Sequence, residues 1–347
     1  MEQNVQSSCY SMVRGLKVVL ASIGLSSNNP ALLNVLPYLD PIQMEEQARI
    51  WTIFTAIRAV EEVPFGPGMD GYIHIFDSTD ALPEIMATPD RLMISGDISG
   101  YERDLDANPS AKRYSLFGNG GILTKFAYTL LERCHDMLSF HATSMYDEDS
   151  NEMYVIVGPP GAGKTVMMLE GTLRRGYKIF ATEMTHVHFT DRGATFHKGS
   201  LYDNVRVRTV ADDYPEAQEV LGIKDLRPEK EGEAKIGVSF TRVQTRDDVI
   251  VNPKMNWLFP RIEAESTQAI FTKIRGRDVL AKMLYENASE MIVRPRLYYG
   301  RLPLSLIDYP HSSAHRLQLC QRLVRDTVTS QSLSIFAGAN SCMAGVE

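Results

Sequence analysis

The chain has 347 residues, enough for one large domain or two of ordinary size, and its 44% hydrophobic content can fill a real core. A formal net charge of −7 argues against a nucleic-acid scaffold, because phosphate backbones select basic surfaces. The four cysteines, Cys9, Cys134, Cys320 and Cys342, lack C-x-x-C spacing, which fits reduced thiols better than a disulfide framework or a zinc site. After Met1-Glu2-Gln3-Asn4 no basic region leads into an apolar stretch, so a signal peptide is not expected, and no apolar run approaches the roughly 18 residues of a membrane span. A cytoplasmic protein with no membrane or nucleic-acid partner, able to form a homo-oligomer, is the expectation.

In chain order, Leu16–Leu20 reads as a strand, ended by Ser26-Ser27-Asn28-Asn29-Pro30. Glu45–Glu61 carries Ile50, Ile53, Phe54, Ile57 and Val60 at helical spacing, with Pro64–Gly68 as the breaker. Tyr72–Phe76 alternates as a strand, and Arg91–Ser95 reads as another. Gly96–Lys112 is polar and weakly patterned, so a loop or hairpin is expected. Its acids Asp97, Glu102, Asp104 and Asp106 lack ligand spacing and read as solvated surface rather than a metal site. Ile122–Phe140 reads as one helix, with Leu123, Phe126, Leu130, Leu131 and Met137 at mostly helical spacing. His141–Tyr146 follows as a short strand, then the polar turn Asp147–Asn151. That turn would bring His141 beside the start of the next motif; taken alone, His141 reads as a partly buried, satisfied histidine.

Gly158-Pro159-Pro160-Gly161-Ala162-Gly163-Lys164-Thr165 fits G-x-x-x-x-G-K-[ST], the phosphate-binding loop. Met153–Val157 before it is a short apolar, partly β-branched run, hence a buried strand; Val166–Glu170 after it opens a helix. Glycines let backbone N–H groups turn inward round a phosphate, and the helix N-terminus adds partial positive charge. Gly158, Gly161, Ala162, Gly163, Lys164, Thr165 and Val166 are therefore the expected nucleotide contacts. Lys164 would reach the β- and γ-phosphates, and the Thr165 hydroxyl would bind Mg²⁺.

The helix runs to about Arg175 and stops at Gly176. Tyr177–Ala181 is the next strand, ending in Thr182-Glu183-Met184-Thr185. A carboxylate at that strand end can face a γ-phosphate, so Glu183 is the candidate acid and second metal ligand; spacing alone fits a solvated strand end equally well. His186 and His188, two apart, read as one half-exposed strand face or as a metal pair. Asp203–Val210 alternates as a strand wet on one side, and 211–235 as a surface loop with one short helix. Lys235–Thr241 and Asp248–Val251 are short strands. Trp257–Pro260 is apolar and closes with Arg261. Ser266–Glu286 and Ser313–Val328 read as helices, and Ser332–Phe336 as a terminal strand.

Four features together resemble the HPr-kinase-like group, whose nucleotide domain is shared with phosphoenolpyruvate carboxykinase. They are His141-Ala142-Thr143 a turn before the loop strand; Gly158–Thr165 itself; Gly176 and a strand ending Thr182-Glu183; and Phe259-Pro260-Arg261 followed by Gly276-Arg277-Asp278-Val279-Leu280 and Leu333–Phe336. The likeness covers roughly residues 122–340. It implies an α/β fold: a P-loop nucleotide-binding domain with mixed sheet over 122–347, preceded by a smaller α+β region over 1–121. It also implies an ATP- and Mg²⁺-dependent kinase, with Lys164, Glu183 and His141 as catalytic residues. The acceptor would be a hydroxyl of a small molecule, or a serine of a peptide or carrier protein. The chain departs from the group at Thr182, where the group usually shows the first of two adjacent acids; either Glu183 does both jobs, another residue such as His186 supplies the base, or catalysis is altered. Two other readings share the loop: a RecA-type ATPase, whose acidic strand would have to be Leu304–Asp308, and a non-catalytic nucleotide-binding protein.

Overall fold

The computed structural model describes residues 12–33, 60–106, 115–118, 120–223, 226, 234–262, 270–293, 297–298, 302–303 and 308–335. It is a mixed α/β chain that divides into two compact units, 1–137 with 291–313, and 138–290 with 314–347. The expectation of a boundary after residue 121 puts the helix from Ile122 with the glycine loop; the contacts place that helix in the first unit.

The first unit holds β1 (Met12–Val18), β2 (Ala21–Ser27), β3 (Val60–Val63), β4 (Gly71–Asp77), β5 (Glu84–Ala87) and β6 (Arg91–Gly96) in one sheet, ordered β3-β1-β2-β4-β6-β5. In β4, Ile73 and Ile75 are buried while Tyr72, His74 and Phe76 face outward, the two-residue period of a sheet with one covered face. The expected strand Leu16–Leu20 is a hairpin instead: Val18 pairs with Ala21, leaving Val19-Leu20 as a two-residue turn with Val19 at φ 57°. Of the polar stretch Gly96–Lys112, expected as a loop or hairpin, residues 107–112 lie outside the described residues and Ile98–Asp106 forms α1. Its N-terminus is closed by carboxylates, since Gly100 N donates to Asp97 Oδ1 and Ser99 N to Asp77 Oδ1, each at 3.0 Å. Glu102 accepts from Leu116 N at 2.8 Å. Two of the four acids expected to be solvated are thus bound to backbone N–H groups.

The next helix, α2 (Ile122–His135), is shorter than expected. Asp136 adopts the left-handed conformation at φ 52° and its N–H returns to Leu131 O, which ends the helix. Met137–Phe140, expected to continue it, opens β7 (Met137–Asp147). Met137, Leu138 and Phe140 are all buried, and an apolar run this short does not distinguish helix from buried strand. Of the expected helix Glu45–Glu61, residues 45–59 lie outside the described residues, and Val60 and Glu61 belong to β3.

The second unit continues with β8 (Glu152–Val157), α3 (Lys164–Arg174), β9 (Lys178–Ala181), β10 (Met184–Thr190), β11 (Gly193–His197), β12 (Tyr202–Arg206), α4 (Glu216–Leu221), β13 (Lys235–Ser239), β14 (Val249–Val251), β15 (Lys254–Ile262), β16 (Ile270–Lys273) and α5 (Arg277–Val293). β17 (Leu297–Tyr298) and β18 (Leu302–Pro303) form a small ladder in the first unit, followed by α6 (Pro310–Arg325) and β19 (Thr327–Ile335). The main sheet runs β14-β11-β10-β7-β8-β15-β19-β16, with β9 also paired to β7. β8, β15 and β19 are mutually parallel, whereas β7 is antiparallel to β8.

Alternate residues of the central strands fill two cores. Met153, Val155, Val157, Met255, Trp257 and Phe259 pack with Leu280 and Leu284 of α5 and Leu319 and Leu323 of α6. Tyr154, Ile156 and Leu258 pack with Met167, Met168 and Leu169 of α3 and with Val205, Ala217 and Leu221. The sheet is therefore covered on both faces. Two expected elements differ. Ile270–Lys273, read as helix, is strand β16, set apart from α5 by Gly276 at φ 100°. The strand expected over Asp203–Val210 ends at Arg206 and gives way to a π-helical turn, Thr209–Asp213, because Val210 turns back into the core at 0% exposure. Among the described residues, no helix is long and apolar enough to cross a membrane.

Candidate functional site

The site is built at the C-terminal end of β8, where the chain leaves the sheet and enters α3. Gly161 and Gly163 lie at φ 85° and 108°, values that side-chain-bearing residues avoid. Gly158 is required for a different reason: a Cβ there would stand 2.8 Å from the Ala162 Cβ. Gly163 is the N-cap of α3 and offers no side-chain cap, so the first N–H groups of the helix are left for an anion. Val166 sits in the first turn with its side chain against the core beneath.

Lys164 Nζ donates to Gly158 O at 2.6 Å and to Pro159 O at 3.3 Å, curling over its own loop. Burial lowers its pKa, partly offset by the negative charges of Asp203, Glu183 and Glu290. Three carboxylates from distant parts of the chain thus act on one lysine. Asp203 touches the expected metal ligand: Thr165 Oγ1 donates to Asp203 Oδ2 at 2.8 Å. Burial raises the Asp203 pKa above the usual carboxylate range, against the hydrogen bonds from Thr165 and the Asn204 N–H and the charges of Lys164 and Lys235.

Asp203 was not legible as a site residue. It lies on β12, outside the main sheet, 38 residues after Thr165. Thr182 explains how it gets there. The Thr182 hydroxyl donates to Ser200 O at 3.0 Å and Tyr202 O at 2.7 Å, while Thr143 Oγ1 donates to Thr182 O at 2.7 Å. At the position where the resemblance implies an acid, this chain uses a buried hydroxyl to clamp the segment that carries Asp203. No family model matches the chain, and comparison with characterised proteins finds no significant match.

Glu183 follows directly, half-buried in the bend between β9 and β10. His141 stands on β7; Ala142 pairs with Val157, so His141 is level with Gly158. The geometry brings His141, Lys164, Thr165 and Glu183 to the neighbourhood of the loop and adds Asp203 and Glu290. It does not add His186. That ring is fully buried, its Nδ1 is 2.9 Å from Ser139 Oγ, and burial lowers its pKa to about 3. Both expectations for it, a wet strand face and a metal pair with His188, give way to a core histidine, and no metal-binding cluster of three such ligands occurs among the described residues. Arg261 is exposed at the end of β15; the preceding Pro260 O is 3.7 Å from where a Cβ on Gly158 would stand.

A hydroxyl and a carboxylate beside a glycine loop are oxygen donors of the kind Mg²⁺ takes when phosphates and waters complete its shell. Thr165 and Asp203 fit that description, with Glu183 as a further oxygen donor close to Lys164.

Proposed function

We propose that this chain is an ATP- and Mg²⁺-dependent kinase of the HPr-kinase-like group, built on a P-loop. The observation that carries the reading is the 2.8 Å contact between Thr165 Oγ1 and Asp203 Oδ2, placed beside Lys164 at the uncapped start of α3. The loop N–H groups bind the phosphates, and Lys164 exchanges its two loop carbonyls for phosphate oxygens. Thr165 and Asp203 would hold Mg²⁺, which would supply positive charge against the phosphates. Glu183 orients the acceptor for in-line attack through groups other than the reacting hydroxyl. The acceptor is a hydroxyl of a small molecule, or a serine of a peptide or carrier protein.

The RecA-type alternative needs an acidic strand at Leu304–Asp308, of which 304–307 lie outside the described residues. The carboxylate found on Thr165 instead comes from β12, which supports the kinase. The test is ATP labelled at the γ-position, incubated with the protein and a cell extract, followed by mass spectrometry for new phosphorylated species. Transfer is expected, and Glu183→Gln should reduce it by about 10²-fold or more with nucleotide affinity nearly unchanged. Hydrolysis that proceeds equally without extract, and is lost in Glu183→Gln, would establish the ATPase instead.

A further inference from the structure

His141 is gripped from a second direction. Asn287 and Glu290 lie three apart on α5 and therefore on one face of it. Asn287 Nδ2 donates to His141 O at 3.3 Å, fixing the backbone at the histidine, and Glu290 Oε2 lies 3.5 Å from His141 Nδ1. The two side chains are 16% and 25% exposed, so the pair is sheltered without the cost of full burial. The same carboxylate acts on Lys164, so it serves both the histidine and the loop. At 3.5 Å the pair is a charge contact and not a hydrogen bond, which leaves Nδ1 buried without a hydrogen-bond partner; contacts of this kind commonly tighten when substrate arrives.

We propose that Glu290 is a positioning residue that holds His141 in the tautomer with the proton on Nδ1, making Nε2 the basic atom His141 offers beside the phosphate loop. A neutral imidazole carries a single N–H, and an ionised carboxylate only accepts, so the nitrogen facing Glu290 carries the hydrogen. What Nε2 then does rests on the phosphoryl-transfer reading. The acceptor oxygen bonds to the γ-phosphorus as the bond from that phosphorus to the bridging oxygen breaks, and the departing nucleoside diphosphate keeps the electron pair. The hydroxyl proton passes to Nε2, and Glu290 stabilises the imidazolium that results.

The test is a two-bond ¹H–¹⁵N correlation spectrum of the full chain labelled at histidine nitrogens, at about pH 8, above the usual histidine range. The His141 signals are assigned by their loss in His141→Gln. The wild-type protein should show a protonated Nδ1 and a bare Nε2, and Glu290→Ala should shift His141 toward the other tautomer. Glu290→Gln keeps an acceptor oxygen without the charge, so the tautomer should persist while transfer falls about 10–100-fold. A wild-type His141 protonated on Nε2, or a tautomer unmoved by Glu290→Ala, overturns the proposal. Should the alanine variant fail to fold, the wild-type spectrum still decides. A tautomer that responds to Glu290 in a protein that transfers no phosphate upholds the pairing and removes the kinase instead.

Discussion

Asp203→Asn separates a metal ligand from a structural acid, because the two roles carry opposite signs. The carboxylate accepts from Thr165 Oγ1 at 2.8 Å and from Asn204 N at 2.7 Å. Hydrogen bonds to a charged group contribute about 1.5–3 kcal/mol each, against about 1 kcal/mol for neutral ones. On that count alone the change would cost stability. The raised pKa of Asp203 shows that burial outweighs those bonds. For an acid raised on folding, stability is fully present below the unfolded value of 3.8 and is lost as pH rises through the folded one. Asparagine removes that loss, so the ligand-free variant should melt higher than wild type at neutral pH, with the gain fading to nothing as pH falls below about 4. With Mg²⁺ and ATP the order should change. At a nucleotide concentration of about 100 Kd, binding stabilises wild type by about 2.7 kcal/mol, roughly 5–11 °C in Tm for a domain of this size. A tenfold loss of affinity in the variant lowers that stabilisation by about 1.4 kcal/mol, halving the shift. Differential scanning fluorimetry across pH, with and without Mg²⁺–ATP, measures both effects. An undiminished nucleotide shift would refute the ligand assignment, and a pH-independent fall in Tm would refute the account of its burial.

Thr165→Ala should weaken Mg²⁺-dependent nucleotide binding while Thr165→Ser largely retains it, because the hydroxyl is what coordinates; calorimetry with and without Mg²⁺ checks this, and equal behaviour of the two variants excludes the hydroxyl as a ligand. The His186 pKa is lowered on folding from 6.5 to about 3, so its contribution to stability is present above 6.5 and is lost as pH falls toward 3. By about pH 5 the loss should reach roughly 2 kcal/mol, and His186→Gln should lessen it. Denaturant titrations of both proteins at about pH 7 and 5 provide the comparison, and equal acid sensitivity would show that His186 does not titrate in this way.

Features that depend on neighbours in sequence were readable in advance. The strand, glycine loop and helix start from Met153 to Val166 are set by local chemistry, and the register of β7 and β8 follows from the short turn Asp147–Asn151, which is why His141 could be placed beside the loop. Weak local signals left other elements undetermined. Val19-Leu20 carries none of the usual turn residues, yet it closes the hairpin between β1 and β2. Met137–Phe140 has apolar residues that suit either a helix face or a buried strand, and the left-handed Asp136 decided for the strand.

Local sequence was enough to place the glycine loop between β8 and α3, with Lys164 and Thr165 at the helix start and Glu183 after β9, because consecutive backbone groups there adopt conformations that glycine permits. The carboxylates that complete the site were decided by tertiary structure. Asp203 reaches Thr165 through a ladder of its own and the clamp of the Thr182 hydroxyl on Ser200 and Tyr202. Glu290 reaches His141 because α5 packs its apolar face, Leu280, Leu284 and Ala288, onto the sheet, which brings Asn287 to a residue 146 positions earlier. No spacing rule spans such distances: a polar side chain shows its role only when burial elsewhere on its element fixes where that element lies.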